Sequence, residues 1–198
     1  MLIDIIRSMR PRQWPKNAFV FVALLFDRKL FDLNSLLPVL GTFVLLCLMS
    51  GAVYLMNDLA DIESDRQHPT KRNRPLPSGR LNPRVAAAAA VLLAAFSLAA
   101  GYALSWKLAV ILLIYLLSQI AYTFRLKHVV LVDVLTIAAG FVLRIAAGVI
   151  VIEVQRFSPW LYIFGGFLAL FMALGKRRTE LVLLGGDAAN HRAILDDY

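Results

Sequence analysis

Apolar residues run along this chain in stretches too long and too uniform for the one-sided stripe of a soluble helix. A helix needs roughly 20 apolar residues to cross the hydrocarbon core of a bilayer, and about 17 can suffice. Stretches near residues 13–27, 35–56, 84–105, 107–124, 129–152 and 158–175 approach or meet that requirement. Six transmembrane helices are therefore predicted, in an all-α protein. The first is short and Trp14-Pro15 lies at its start, which puts that start in the interfacial layer. Pro38, Pro83 and Pro159 fall near predicted helix starts, where a missing N–H costs little. No repeat, low-complexity tract or linker divides the chain, so residues 1–198 read as one transmembrane domain.

Composition agrees: 60% of residues are hydrophobic and 17% charged, against about half and a quarter in soluble domains. The net charge of +8 raises nucleic acid as a partner. The cations nevertheless gather in short clusters between apolar runs, with no basic stripe interleaved with aromatics, and nucleic acid is excluded. Cys47 is the only cysteine, which removes disulfides and thiolate metal sites. The N-terminus, with Asp4, Arg7, Arg10 and Arg12, lacks the pattern of a cleavable signal.

Placement of the cations gives an orientation. Residues 1–16, 57–84, 125–128 and 176–198 carry sixteen Lys and Arg, whereas the opposite ends carry Arg28, Lys29, Lys107 and Arg156. The first set, with the N-terminus, is expected in the cytoplasm, the protein being multi-pass in the cell membrane. Topology alone is a sufficient account of many of these cations.

Where the second apolar run ends, the chain reads Asn57-Asp58-Leu59-Ala60-Asp61-Ile62-Glu63-Ser64-Asp65-Arg66. On a continuing helix Asp58, Asp61 and Asp65 share an arc of about 60° over roughly 10 Å. Asn57 borders that arc and Glu63 points away from it. Carboxylates on one face repel one another, more so with partial desolvation at a membrane helix end, so a cation has to offset them. Hard oxygen ligands suit magnesium, which one or two carboxylates usually hold together with substrate phosphates. A solvated loop of aspartates balancing arginines accounts for neither the one-face spacing nor the position flush with a span.

Directly downstream, Lys71, Arg72 and Arg74 lie within reach of the acidic face if the loop folds back. Pro69, Pro75 and Pro77 stiffen that loop and lower the entropy lost on closing over a ligand. Carboxylates for a metal and cations for its phosphate ligand suggest a diphosphate clamp. His68, before Pro69, reads as conformational rather than catalytic.

Asn57-Asp58-x-x-Asp61-x-x-x-Asp65, followed by Arg66-x-His68-Pro69-x-Lys71-x-x-Arg74-Pro75, resembles the first signature of the UbiA superfamily of membrane prenyltransferases. Arg10-Pro11-Arg12-Gln13-Trp14-Pro15-Lys16-Asn17, Tyr122-Thr123-Phe124-Arg125-Leu126-Lys127-His128 and Gly175-Lys176-Arg177-Arg178-Thr179-Glu180 are similar to its decaprenyl-phosphate phosphoribosyltransferase branch. The resemblance implies a bundle of nine helices around a cytoplasmic-facing cavity; six spans are found here, so the last three helices of the family fold are expected to be missing. It also implies two acidic regions holding a Mg2+-bound diphosphate. Where the second is expected, this chain has Lys176, Arg177, Arg178, Thr179 and Glu180, with Asp187, Asp196 and Asp197 beyond. The basic content suits a donor with an extra 5-phosphate.

On that resemblance, the expected reaction moves 5-phosphoribose from phosphoribosyl pyrophosphate to a polyprenyl (decaprenyl) phosphate in the membrane. Diphosphate is released, and the product leads to arabinose donors for cell-wall assembly. Asp58, Asp61 and Asp65 are the expected catalytic carboxylates and metal ligands, with Glu180 as a further ligand. Lys16, Asn57, Arg66, Lys71, Arg74, Lys127, Lys176 and Arg177 are the expected contacts to substrate. Tyr122 is either an orienting hydroxyl or an aromatic-belt anchor, and Lys16 is equally explained by topology. In the fifth span Asp133, Ile137, Gly140 and Arg144 share a face, with Arg144 about 16 Å beyond Asp133. Arg144 should face the bundle interior, either with a structural partner or against a substrate phosphate, and Asp133 is a candidate for ribose hydroxyls. Glu153 and Arg156 read as solvated at the far end.

Two other functions remain open on the sequence. An aromatic prenyltransferase of the same fold would take a polyprenyl diphosphate and an acid such as 4-hydroxybenzoate. A cation-coupled transporter would favour ionisable residues through the middle of several spans, where this chain has little besides Arg144. The oligomeric state stays open.

Overall fold

The computed structural model describes residues 1–152, 154 and 159–184, apart from the side chains of 128, 176, 177 and 180–184. Every regular element among the described residues is helical. In chain order these are α1 (Leu2–Ser8), a 3₁₀ segment (Pro11–Phe21), α2 (Val22–Phe26), α3 (Leu33–Ala60) and α4 (Ile62–Gln67). After a short 3₁₀ turn (Lys71–Asn73) come α5 (Pro83–Leu104) and α6 (Trp106–Phe124). A second short turn (Leu126–His128) then leads to α7 (Val132–Val151) and α8 (Pro159–Leu184).

Four of these helices, α3, α5, α6 and α7, are long and apolar enough to cross a membrane, matching the second to fifth predicted spans. The sixth corresponds to the apolar part of α8, Pro159–Gly175, and the helix continues beyond it to Leu184. The first predicted span takes another form. Its residues follow a 3₁₀ path as far as Phe21 and turn α-helical only from Val22. Pro15 interrupts the segment, and its lack of an N–H removes one α-type bond. A 3₁₀ helix rises about 2.0 Å per residue against 1.5 Å for an α-helix, so Pro11–Phe26 still covers about 30 Å.

Caps set the helix starts. Asp32 accepts from the Asn34 backbone N–H at 3.2 Å and from the Ser35 hydroxyl at 2.6 Å, which holds its carboxyl below the usual range. Asn82 accepts from the Arg84 N–H at 2.8 Å, ahead of Pro83 as the first residue of α5. Pro159 likewise opens α8. Pro38 differs from expectation, because α3 begins at Leu33 and so places the proline just over one turn inside the helix.

The central element is α3: 56% of its most apolar window is buried, against 22% for α5. It packs on α5, α6, α7 and the 3₁₀ segment. Val20, Leu24, Leu46, Met49, Leu108, Leu112 and Ala147 form the main core. The 3₁₀ segment lies against α7 so closely that a Cβ on Gly148 would stand 2.0 Å from the Val20 carbonyl oxygen. Gly165 similarly lets α8 approach Ile145, whose Cδ1 would stand 2.5 Å from a Cβ there.

A second core of Met9, Leu55, Leu76, Leu81 and Ala86 pins the loop after α4 to the end of the bundle. Gly79 takes φ 78° in that loop, a left-handed turn in which glycine is unstrained. The Leu81 N–H then closes onto the Pro75 carbonyl at 2.9 Å.

Candidate active site

The expected continuous helix through the acidic cluster is broken at Asp61, which caps α3 with φ −101° and ψ 11°. The register survives the break. The Asp61 N–H donates to the Asn57 carbonyl at 3.0 Å, and the Asp65 N–H to the Asp61 carbonyl at 2.8 Å. Asp58 and Asp65 are consequently buried on one side of the chain, while Asp61 is partly exposed. Glu63 points away, 81% exposed, as its spacing requires.

Each of the three aspartates meets a cation from another segment. Arg10 pairs with Asp58. Arg74 Nη1 donates to Asp65 Oδ2 at 2.7 Å and to Asp58 Oδ1 at 3.3 Å, so both carboxylates converge on one nitrogen. Lys71 Nζ lies 3.6 Å from Asp65, and Lys127 Nζ donates to Asp61 at 2.9 Å. These cations come from the N-terminal segment, the α4–α5 loop and the α6–α7 turn. Segments that the charge pattern assigns to one side of the membrane therefore meet at one end of the bundle.

Local backbone explains the delivery. Arg10 adopts left-handed angles, φ 54° and ψ 64°, a conformation that costs a non-glycine residue about 1–2 kcal/mol. It reverses the chain between α1 and the 3₁₀ segment and leaves the guanidinium over the Tyr54 ring, 4.7 Å from its centroid, beside Asp58. Arg74 leaves the Lys71–Asn73 turn directly before the buried Pro75-Leu76-Pro77 anchor.

Other expected residues join less closely. Arg66 turns outward, pairing with Glu63 at 2.8 Å and donating to the Pro77 carbonyl at 3.3 Å. His68 Nδ1 accepts from the backbone N–H groups of Thr70 and Lys71, the conformational role its position suggested. Arg72 is exposed, and so is Lys16 in the 3₁₀ segment. Tyr122 is half-buried near the end of α6, and Asp133 is wholly buried in the first turn of α7. The side chains of Lys176, Arg177 and Glu180 lie outside the described residues, as do Glu153, Arg156, Asp187, Asp196 and Asp197.

Arg144 faces the interior, as expected, but its hydrogen-bond partners were not foreseen. Its Nε donates to Asn17 Oδ1 at 2.8 Å and its Nη2 to the Tyr115 hydroxyl at 3.0 Å. The Asn17 amide in turn donates to Ser50 Oγ at 3.2 Å and to Cys47 Sγ at 3.3 Å. Cys47, Ser50, Tyr54, Asp58 and Asp61 recur every three or four residues on α3, and they make a polar seam about 21 Å long. The sequence reading missed Arg10, Asn17, Tyr54 and Tyr115. A polar residue inside a predicted span is a usable signal, because burying it among lipid-facing helices costs free energy unless it is paired.

Among the described residues, no three acidic, histidine or cysteine side chains converge closely enough to hold a metal by themselves. What the arrangement offers is a ring of alternating carboxylates and cations at the head of a buried polar seam. A separate groove of about 570 Å³ between α5 and α6, lined by residues such as Ala99, Tyr102, Trp106 and Leu113, is apolar and lacks this chemistry.

The family model of the UbiA prenyltransferases matches residues 17–192. Decaprenyl-phosphate phosphoribosyltransferase of Mycolicibacterium smegmatis is 37% identical over all of this chain and 63% of its own length. That of Corynebacterium glutamicum is 36% identical over 98% of this chain and 59% of its own length. The chain thus spans about three-fifths of these curated relatives. Among solved structures, a UbiA homolog from Archaeoglobus fulgidus bound to DMAPP and Mg2+ superposes with a TM-score of 0.69 at 23% identity. The match covers 85% of this chain and 61% of that one.

Proposed function

The chain belongs to the UbiA prenyltransferase family of multi-pass membrane proteins, and on that premise we propose that it transfers 5-phosphoribose from phosphoribosyl pyrophosphate to a polyprenyl phosphate. Relatives named decaprenyl-phosphate phosphoribosyltransferase align along 98–100% of the chain at 36–37% identity. The observation that carries the reading is Arg74 Nη1 between Asp58 and Asp65, with Lys127 on Asp61. Carboxylates and phosphate-seeking cations are interleaved there within hydrogen-bond distance.

Magnesium fits this donor set. The position between Asp58 and Asp65 already accommodates a positive charge, and two carboxylates with substrate phosphates are the usual complement for the ion. Asp58, Asp61 and Asp65 would hold it, some through water, with Glu180 as a further candidate. When bound, it neutralises charge that develops on the leaving diphosphate.

The chain's own residues do the rest by position and charge. With the carboxylates engaged, Arg10, Lys71, Arg74 and Lys127 are left to donate to diphosphate oxygens. The bond from ribose C1 to the diphosphate oxygen breaks, its electron pair leaving with diphosphate, while a lipid phosphate oxygen forms the new bond to C1. The acceptor is already anionic, so no proton has to be removed. Preorganised cations at the departing oxygens supply the main stabilisation. The acidic end lies on the cytoplasmic side of the cell membrane, where a water-soluble phosphoribosyl donor is available.

Donor competition tests the reading. Membranes carrying the complete protein should label polyprenyl phosphate from phosphoribosyl pyrophosphate, and excess polyprenyl diphosphate should not serve as donor. Turnover of polyprenyl diphosphate with an aromatic acid, and none with phosphoribosyl pyrophosphate, overturns the substrate assignment.

A further inference from the structure

Arg144 is 8% exposed near the middle of a membrane-spanning helix. Both of its hydrogen-bond partners, Asn17 and Tyr115, are neutral. The aromatic faces of Tyr115 and Phe141 lie 5.1 and 5.2 Å from its guanidinium carbon. Among the described residues no carboxylate stands within ion-pair distance of it. A buried cation left with neutral partners is costly in a low-dielectric interior. The geometry also keeps it in place: Asn17 is itself fixed by Ser50 and Cys47, which aims its oxygen at Nε.

Two edges of the guanidinium are thus committed, while Nη1 bonds to no described residue and faces Gly140. A Cβ on Gly140 would stand 3.2 Å from Nη1, 3.8 Å from Gln119 Nε2 and 3.9 Å from the Tyr115 ring. The absent side chain is what lets this charged donor lie so close along α7, with an amide and an aromatic ring alongside. The guanidinium lies below the carboxylates: Ser50, which holds Asn17, is about 12 Å along α3 from Asp58. Tyr54, between them, takes Arg10 over its ring on the acidic side.

We propose that Arg144 Nη1, beside Gly140, is the seat for a phosphate monoester group of a substrate. The inference rests on the proposed reaction, which supplies two such groups: the 5-phosphate of the donor and the phosphate of the lipid acceptor. An anionic oxygen there completes the guanidinium's donors by a charge-assisted bond and balances the buried charge. Arg144 would position and select the phosphorylated substrate while the carboxylate end carries the leaving diphosphate.

The test compares wild type with Gly140→Ala, which keeps the guanidinium but presses a methyl group against Nη1, and with Arg144→Lys. In membranes with the complete protein, KM is measured for phosphoribosyl pyrophosphate and for polyprenyl phosphate in turn, each with the other saturating. Both variants should raise KM about ten-fold for one of the two substrates, with kcat changed much less, as expected for a lost charged hydrogen bond. A rise for the donor assigns the seat to its 5-phosphate; a rise for the lipid assigns it to the acceptor. Unchanged KM for both, with only a lower Tm, overturns the proposal and makes Arg144 a structural strut.

If wild type transfers no label, the reading of the reaction has failed, and inorganic phosphate then probes the seat directly. A rise of Tm in phosphate that Gly140→Ala abolishes sustains the seat. An equal response, or none, in both proteins overturns it.

Discussion

Two buried charge systems lie along one face of α3, and they are balanced in opposite ways. Around Asp58, Asp61 and Asp65 the charges are anions, each met by a cation from another segment. Around Arg144 the charge is a cation, met by an amide and a phenol. The cations at the acidic end are long side chains that keep 18–41% of their surface exposed. Such partners can exchange a carboxylate for a phosphate at small cost, because water and a short swing of the side chain are both available. Arg144 has neither, since its partners are locked within the bundle. The acidic end is built to exchange partners, and the deep cation to hold still.

The sharpest way to break this contrast is to remove a carboxylate. Asp61→Ala should lower magnesium-dependent transfer by about 10³-fold, the scale of losing a principal electrostatic element of a site. It should leave Tm nearly unchanged, because Asp61 is partly exposed. Arg74→Ala comes next, with a loss of about 10²-fold in transfer. It also leaves Asp58 and Asp65 with fewer cations between them, so added magnesium should raise the Tm of this variant more than that of wild type. An equal magnesium response in both proteins would mean that the carboxylates do not exchange a guanidinium for a metal.

At the deep cation the expected effects fall on stability. Tyr115→Phe should cost about 1.5–3 kcal/mol, the scale of a buried hydrogen bond to a charged group, with or without magnesium. Ser50→Ala, which loosens Asn17 without touching the guanidinium, should cost about 0.5–1.5 kcal/mol. Chemical denaturation in detergent, with and without magnesium, reads both. A magnesium-dependent cost at Tyr115 would show that the two systems are not separate.

The contrast also explains what the sequence disclosed. The long spans were legible because lipid leaves few alternatives to an apolar helix of about 20 residues. The carboxylates were legible because Asp58, Asp61 and Asp65 repeat at helical spacing, and the break at Asp61 preserved that register. Arg10 was not, since a left-handed backbone aims it and no periodicity encodes that turn. Asn17 and Tyr115 were single polar residues inside apolar runs, and their partners depend on how three separate elements meet. Arg66 is expected at the substrate from its place in the motif, and in this structure its side chain pairs with the exposed Glu63. The first span was drawn as an α-helix, although Pro11 and Pro15 favour the more extended 3₁₀ path observed.

The central claim, that the Asp58–Asp65 end works as a magnesium-diphosphate clamp, is tested most directly by label transfer under metal control. Radiolabelled phosphoribosyl pyrophosphate and polyprenyl phosphate are supplied to membranes with the complete protein, with magnesium or with excess chelator, for wild type and Asp61→Ala. The account predicts label in the lipid fraction only with magnesium and only with the intact carboxylate. Transfer that persists in chelator, or that Asp61→Ala leaves at the wild-type rate, would contradict it.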